Sequence, residues 1–331
     1  SGIFTDSRSA LGLGHRRLSI LDLNKSGNQP MSFLDGRYII VYNGEIYNFL
    51  ELRTELESAG HIFRGMSDTE VILAAFVQWG EDCQKRFNGM WAFALVDQTK
   101  GILWLSRDRF GKKPIYYSQV GESFAFSSEL RSLLAHQIVD SEIDSLSLKK
   151  YFAYGYIPAP RSLILNVRKL PAGHNLFFNL NSRVASVRRY WRLDLEPDSS
   201  FVSRPAELKE RLVEILGRAV QTRMEADVPV GVFLSGGIDS SSIVALAKKY
   251  RGSVRSFSIG FEEPSFDETQ YSSEVARILG SEHHSETLSA VRCLELLDSV
   301  YDRLDEPLGD SSLVPSFLMC KLAKNQVTVA L

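Results

Sequence analysis

The run Val228–Leu234 is apolar at nearly every position, and it ends on Ser235-Gly236-Gly237-Ile238-Asp239-Ser240-Ser241. A strand without polar alternation must be covered on both faces, the condition met in a parallel sheet with helices above and below. The flanking sequence keeps that rhythm. Helices are expected over Ala206–Met224, with Leu208, Leu212, Ile215 and Ala219 on one face, and over Ser240–Tyr250. Others are expected over Glu268–Leu279 with Gly280 as the stop, Arg292–Leu304 and Leu313–Ala323. Strands are expected at Ser256–Phe261, His283–Leu288 and Val327–Leu331. This alternation implies an α/β unit, whose ligands bind beyond the carboxyl ends of the strands.

The loop itself carries chemistry. Its two glycines allow successive N–H groups to point into one concavity, and the following helix start adds unpaired donors and positive dipole. The hydroxyls of Ser235, Ser240 and Ser241 add further donors. Together these suit a pyrophosphate. Asp239 would repel that anion unless it holds Mg²⁺, which binds carboxylate and phosphate oxygens together. The kinase-type phosphate loop is a poor match, because Gly237 stands where Lys is required and Ile238 where Ser or Thr is required. A glycine-rich strand–helix turn that binds nothing is the plainer alternative.

The first half is richer in strands: Arg37–Tyr42, meeting a turn signal at Asn43-Gly44, a hairpin of Trp91–Val96 with Ile102–Leu105, then Ile115–Tyr117, Phe124–Phe126, Asn175–Phe178 and Arg183–Val187. Phe49, Leu52, Leu56 and Ala59 share a helical face with Asn48 as N-cap, and Ser67-Asp68-Thr69-Glu70 has the spacing of a capping box. Strands covered by helices suggest an α+β layered domain. The expected division is a first domain over 1–193, a linker over 194–205 and a second domain over 206–331.

Lys and Arg number 38 against 40 Asp and Glu, so no chain-wide basic field for nucleic acid or anionic lipid exists. No apolar run reaches the roughly 18 residues of a membrane helix. Three scattered cysteines, Cys83, Cys293 and Cys320, fit a reducing, cytoplasmic setting better than a disulfide framework. His283-His284 is not read as a metal pair, since adjacent residues of a strand point to opposite faces.

Leu-Ser-Gly-Gly-Ile-Asp-Ser-Ser, with Asp227-Val228-Pro229-Val230-Gly231 before it, resembles the pyrophosphate loop of the glutamine-hydrolysing asparagine synthetases. The resemblance covers essentially the whole chain. It implies an N-terminal-nucleophile glutaminase domain of αββα layering, followed by an α/β ATP-pyrophosphatase domain. Leu234 and Ile259 would lie against the adenine nucleotide, and Ser235, Gly236, Gly237, Asp239 and Ser240 around Mg-pyrophosphate. For Ile259, a plain core role is equally open. In the first half, Gly14-His15-Arg16-Arg17-Leu18-Ser19-Ile20 resembles the segment whose arginine, here Arg17, grips the glutamine α-carboxylate. Asn43-Gly44-Glu45 resembles the family's Asn-Gly-Glu turn, with the Asn43 amide and Gly44 N–H as oxyanion hole and Glu45 and Asp68 on the α-ammonium. Taken singly, Arg17 could be a surface arginine, Asn43-Gly44 a hairpin turn and Asp68 a first-turn acid. Arg107-Asp108-Arg109-Phe110-Gly111 with Pro114 also resembles a family segment and is expected to be a structural turn.

The implied reaction makes asparagine from glutamine, aspartate and ATP with Mg²⁺, ammonia passing through an internal channel. A homodimer is left open. The chain departs from the family in lacking the N-terminal Cys nucleophile, which uses its own α-amine as base. Ser1-Gly2-Ile3-Phe4 matches a strand inside the domain, and Cys83 has no adjacent base. The chain is read as a piece of a longer protein, lacking also a second glycine- and acid-rich loop after Val327–Leu331. Two other functions remain open: a paralogous amidotransferase acting on another carboxylate, and a non-catalytic relative. Phe261–Glu268 and Asp305-Glu306-Pro307 are the segments from which acceptor contacts are expected.

Overall fold

The computed structural model describes residues 1–7, 9–18, 20, 22, 24–136, 139–196 and 204–331. The expected linker falls largely on 197–203, and Ser19 of the arginine segment stands alone; both lie outside the described residues. The chain divides into two compact units. Unit 1 comprises Ser1–Asp194 with Asp305–Gly309, and unit 2 comprises Leu195–Leu304 with Asp310–Leu331.

Unit 1 is built on a six-stranded antiparallel sheet formed by β3 (Met31–Phe33), β4 (Tyr38–Ile46), β5 (Gly89–Asp97), β6 (Ile102–Arg107), β10 (His174–Asn179) and β11 (Ala185–Arg189). Side chains alternate across it. Ile40, Tyr42, Phe93, Leu95 and Trp104 bury one face against α1 (Phe49–Ser58) and α2 (Asp68–Trp79). Ile39, Val41, Ala92, Ala94, Leu103 and Leu105 bury the other against two smaller sheets. These are β1 (Gly2–Asp6) with β2 (Leu11–His15), and β7 (Tyr116–Val120) with β8 (Ser123–Ser127) and β9 (Val167–Lys169). Leu130 and Leu133 of α4 (Leu130–Leu134) pack with Tyr116 and Val167 of the second small sheet. The order helix, sheet, sheet, helix is the αββα layering.

Three local expectations need correction. Asn43-Gly44 is not a turn: β4 runs on to Ile46 in register with β5, Asn43 opposite Ala92 and Gly44 opposite Trp91. Nine residues of uninterrupted cross-strand pairing outweigh the local turn preference. Asn48 makes no cap bond to α1; its side chain joins Arg86 O and Asn88 N instead. Ser67 does cap α2 through Glu70 N, but the Glu70 carboxylate turns to Arg64 N and Gly65 N, so the box is not closed. The Arg107–Gly111 segment is a structural turn leading from β6 toward β7. The buried Asp108 carboxylate holds it, accepting from Phe110 N, Lys112 N and Lys113 N at 2.9–3.0 Å.

Unit 2 is a parallel sheet in the order β14 (Glu282–Leu288), β13 (Arg255–Phe261), β12 (Val230–Phe233), β15 (Val329–Ala330). α6 (Pro205–Met224), α7 (Ile238–Arg251) and α8 (Thr269–Leu279) share one core, and α9 (Ala290–Tyr301) and α10 (Leu313–Lys324) pack on β13 and β14 through others. The expected face of α6 is wrong: Gly217, Val220 and Met224 are its buried residues, while Leu208, Leu212 and Ile215 are exposed. Only the last turns of this helix reach the core. After β12 the chain builds outward through β13 and β14, then returns to the other side of β12 as β15. That reversal places a switch point at the carboxyl ends of β12 and β15, where open α/β sheets form a binding crevice.

Candidate active sites

In unit 1 a cavity of about 730 Å³ is lined by Arg17, Asn43, Gly44, Glu45 and Asp68 together. β4 supplies three of them, the first residue of α2 a fourth, and the segment after β2 the fifth. Gly44 is obligatory at its position: a Cβ there would stand 2.2 Å from Met90 O. The Arg17 guanidinium is oriented by backbone, Nη2 donating to Asp22 O at 2.7 Å and Nη1 to Asn24 O at 3.3 Å. Gly27 lies directly beneath it, where a Cβ would come within 2.3 Å of Nη2. The remaining wall includes Val41, Ala92, Ala94, Ile115 and Leu133.

Asp68 is 7% exposed. Its Oδ2 accepts from Tyr42 Oη at 2.8 Å and from Ile46 N at 3.0 Å. Burial pushes its carboxyl above the ordinary range, opposed by those two donors and by the charge of Arg17. Glu45 is likewise buried. Two buried carboxylates and an oriented guanidinium thus line one cavity, a set whose chemistry suits a zwitterion.

Three cavity residues carry no role in the sequence reading. His15 Nε2 lies 2.9 Å from Tyr42 O, so that nitrogen must carry the proton. Its Nδ1 is buried without a partner, and burial lowers the imidazole pKa. Gln29 Oε1 accepts from Tyr42 N at 2.6 Å, and its Nε2 donates to Thr69 Oγ1 at 3.2 Å. Tyr42 is thus held at its amide, its carbonyl and its hydroxyl. His15 sits inside the arginine segment and Tyr42 directly before Asn43, so proximity was a signal; Gln29 offered none.

None of the three cysteines lines the cavity. Cys83 is fully buried, and burial drives its thiol far above the usual range, so it is inert as a nucleophile. Ser1 directly precedes β1.

In unit 2 the loop after β12 turns at Gly236, whose φ is +86°. A Cβ there would lie 2.6 Å from Tyr271 Cβ and 2.8 Å from Ser272 N, so the loop rests on the first turn of α8. Ser240 Oγ is 3.0 Å from Ser235 Oγ and 3.2 Å from Ser235 N. Gly237 N donates to Ser235 Oγ at 3.4 Å. Ser241 Oγ is buried and unpartnered. Asp239, in the first turn of α7, is exposed and carries no hydrogen bond or ion pair. Leu234 is 1% exposed, its side chain in the core, which leaves its backbone as the group able to meet a ligand. Ile259 packs toward α9 and α10.

Three acidic side chains of these two segments are engaged by the fold, while Glu262, Glu263 and Glu268 of the first are exposed. Asp267 accepts from Phe261 N, Thr269 N and Thr269 Oγ1. Asp305 accepts from Leu130 N at 2.8 Å and Arg131 Nε at 3.1 Å. Glu306 accepts from Leu163 N at 2.6 Å and pairs with Lys169. Such carboxylates serve the fold. His283 and His284 do point apart, the first toward Ser256 and Ser258, the second stacked on Phe257.

A glutamine amidotransferase domain family matches residues 1–191, and an asparagine synthase family matches residues 211–331. The chain belongs to the glutamine-hydrolysing asparagine synthetase family. Curated relatives of this chain include "Putative asparagine synthetase [glutamine-hydrolyzing] 2" of Methanocaldococcus jannaschii, 40% identical over 99% of the chain and 66% of the relative. Asparagine synthetase [glutamine-hydrolyzing] 1 of Bacillus subtilis is 37% identical over 100% of the chain and 51% of the relative. Amidase chyE of Penicillium rubens is 31% identical over 83% of the chain and 42% of the relative. The chain therefore spans between about two fifths and two thirds of the length of these relatives. No helix among the described residues is long and apolar enough to cross a membrane.

Proposed function

We propose that this chain carries the glutamine site and the pyrophosphate loop of an enzyme that converts aspartate to asparagine, using glutamine and ATP. The observation that carries the reading is the convergence of Arg17, Asn43, Gly44, Glu45 and Asp68 on one cavity. Arg17 binds the α-carboxylate of glutamine, and Glu45 and Asp68 bind its α-ammonium. The carboxamide then extends toward Asn43, whose side-chain amide, with the Gly44 N–H, stabilises the negative charge that develops on the carbonyl oxygen under attack. The ammonia set free is the nitrogen source.

In unit 2 the amides and hydroxyls of Ser235, Gly236, Gly237 and Ser240 enclose the β- and γ-phosphates of ATP. A carboxylate oxygen of aspartate bonds to the α-phosphorus and pyrophosphate leaves; ammonia then attacks the acyl carbon and AMP leaves. Asp239 fits a Mg²⁺ site only jointly with phosphate oxygens, since no group of three or more His, Cys, Asp or Glu side chains suited to a metal occurs among the described residues. The ion would neutralise charge on the leaving pyrophosphate. Three unpaired cysteines accord with a cytoplasmic enzyme.

The acceptor admits a second reading. Asp267, Asp305 and Glu306 are engaged elsewhere, and one relative is named an amidase. Assaying the full-length protein for AMP formation against a panel of carboxylic acids decides between them. Asparagine formation dependent on aspartate, glutamine and ATP is expected; AMP formed with other acids but not with aspartate would overturn the aspartate reading.

A further inference from the structure

Oδ2 of Asp68 bonds to two groups of β4: the hydroxyl of Tyr42 and the amide of Ile46. These residues bracket the tripeptide Asn43-Gly44-Glu45. One carboxylate oxygen therefore spans the segment that holds the oxyanion donors and one of the ammonium ligands. Both bonds fall on Oδ2; the Thr69 N–H also acts on the carboxylate, and a carboxylate's two oxygens accept more bonds than these three donors supply, so capacity for a cation remains.

Tyr42 is 4% exposed and held on all sides. Gln29 Oε1 fixes its amide and His15 Nε2–H its carbonyl, which sets the plane of the peptide joining it to Asn43. Its ring lies beneath Gly44, where a Cβ would come within 2.7 Å of Cε2. Movement of the Tyr42 side chain therefore displaces the backbone at Asn43 and Gly44, while its hydroxyl reports on the state of Asp68. A phenylalanine would fill the same space and leave the buried carboxylate with one donor fewer.

We infer that Tyr42 is a positioning residue that links recognition of the substrate's α-ammonium at Asp68 to alignment of the Asn43–Gly44 oxyanion donors. The inference rests on the reading of this cavity as a glutamine site. A cation arriving at Asp68 fixes the carboxylate, the carboxylate fixes the Tyr42 hydroxyl, and the ring fixes the strand at Gly44. An amide substrate without an α-ammonium leaves that chain of contacts unset, so Tyr42 confers selectivity for α-amino acids as well as alignment.

The experiment uses full-length protein and Tyr42→Phe, with glutamine and with its analogue lacking the α-amino group, 5-amino-5-oxopentanoate. A hydrogen bond to a charged group is worth about tenfold or more in rate when it acts on the transition state. The expected result is a kcat for glutamine hydrolysis about tenfold lower, with KM within about twofold, and an unchanged rate on the deamino analogue. Synthesis from ammonium salts in place of glutamine should be unaffected, which shows that unit 2 is intact, and the retained rate on the deamino analogue shows that unit 1 of the variant is folded. Equal losses on both amides, or an unchanged kcat on glutamine, would overturn the link through Asp68. If the parent protein hydrolyses no glutamine at all, the reading of the cavity itself fails, and that outcome is distinct.

Discussion

Asp22 and Arg17 face each other across the loop that follows β2: the Asp22 carbonyl accepts from Arg17 Nη2 at 2.7 Å. The Asp22 carboxylate accepts in turn from Ser26 Oγ at 2.9 Å and Met66 N at 3.0 Å, and Asn24 O takes a second donor of the guanidinium. The fork is thereby oriented by main chain that is itself tied down, and its planar array of donors matches a planar anion. Lysine offers a point charge and no fork. Arg17→Lys is expected to raise the KM for glutamine by about 10- to 100-fold with little change in ammonia-dependent synthesis. Steady-state kinetics with the two nitrogen sources check this.

Gly236 sits at φ +86° with its missing Cβ directed at Tyr271 and Ser272. Alanine there meets both backbone strain and a close contact with the first turn of α8. A loss of roughly 1–3 kcal/mol in unit 2 stability is expected, together with a larger loss of pyrophosphate release, since the loop must lift from its seat. Gly237, whose Cβ would meet only Ser235 Oγ at 3.5 Å, should tolerate alanine far better in thermal melts. Similar melting temperatures for both variants would contradict this seating.

Asp239 is exposed and without partners, so Asp239→Asn removes charge and little else. Stability is expected to stay within about 0.5 kcal/mol of the parent. Pyrophosphate release should fall by about two orders of magnitude or more and should not recover at saturating Mg²⁺, if the carboxylate holds the ion against the phosphates. Unchanged release would remove the metal role assigned to this residue.

How much of this was legible in sequence varies with the reach of the forces involved. The strand-to-helix turn after Leu234 was legible because its glycines and hydroxyls act within a few residues of one another. The extension of β4 through Asn43-Gly44 was not: it depends on pairing with β5, whose contribution exceeds the local turn preference of Asn-Gly. The exposed face of α6 misled for the same reason, since periodicity reports amphipathicity but not how much of a helix meets a core. Gln29 and Tyr42, 13 residues apart, enter the site only through tertiary contact. Asp305 and Glu306 looked like ligands because their acidity was visible and their partners, 130 or more residues away, were not.

Burial raises the Asp68 carboxyl above the usual aspartate range, and the sign of that shift fixes two opposite pH effects. The native state binds this proton more tightly than the unfolded chain does. The stability it contributes is therefore fully present below the unfolded pKa, near 4, and is lost as pH rises through the raised native value. The melting temperature of the parent minus that of Asp68→Asn should accordingly shrink as pH increases across that window in ligand-free protein. Glutamine use runs the other way: only the ionised carboxylate pairs with an α-ammonium, so KM for glutamine should rise as pH falls through the same window. Saturating glutamine, by supplying the cation, should flatten the stability difference. Melts at several pH values with and without glutamine measure the two stability trends and steady-state kinetics over the same range measure KM; a stability difference that grows with pH would mean that the buried Asp68 is stabilised as an anion by its donors alone.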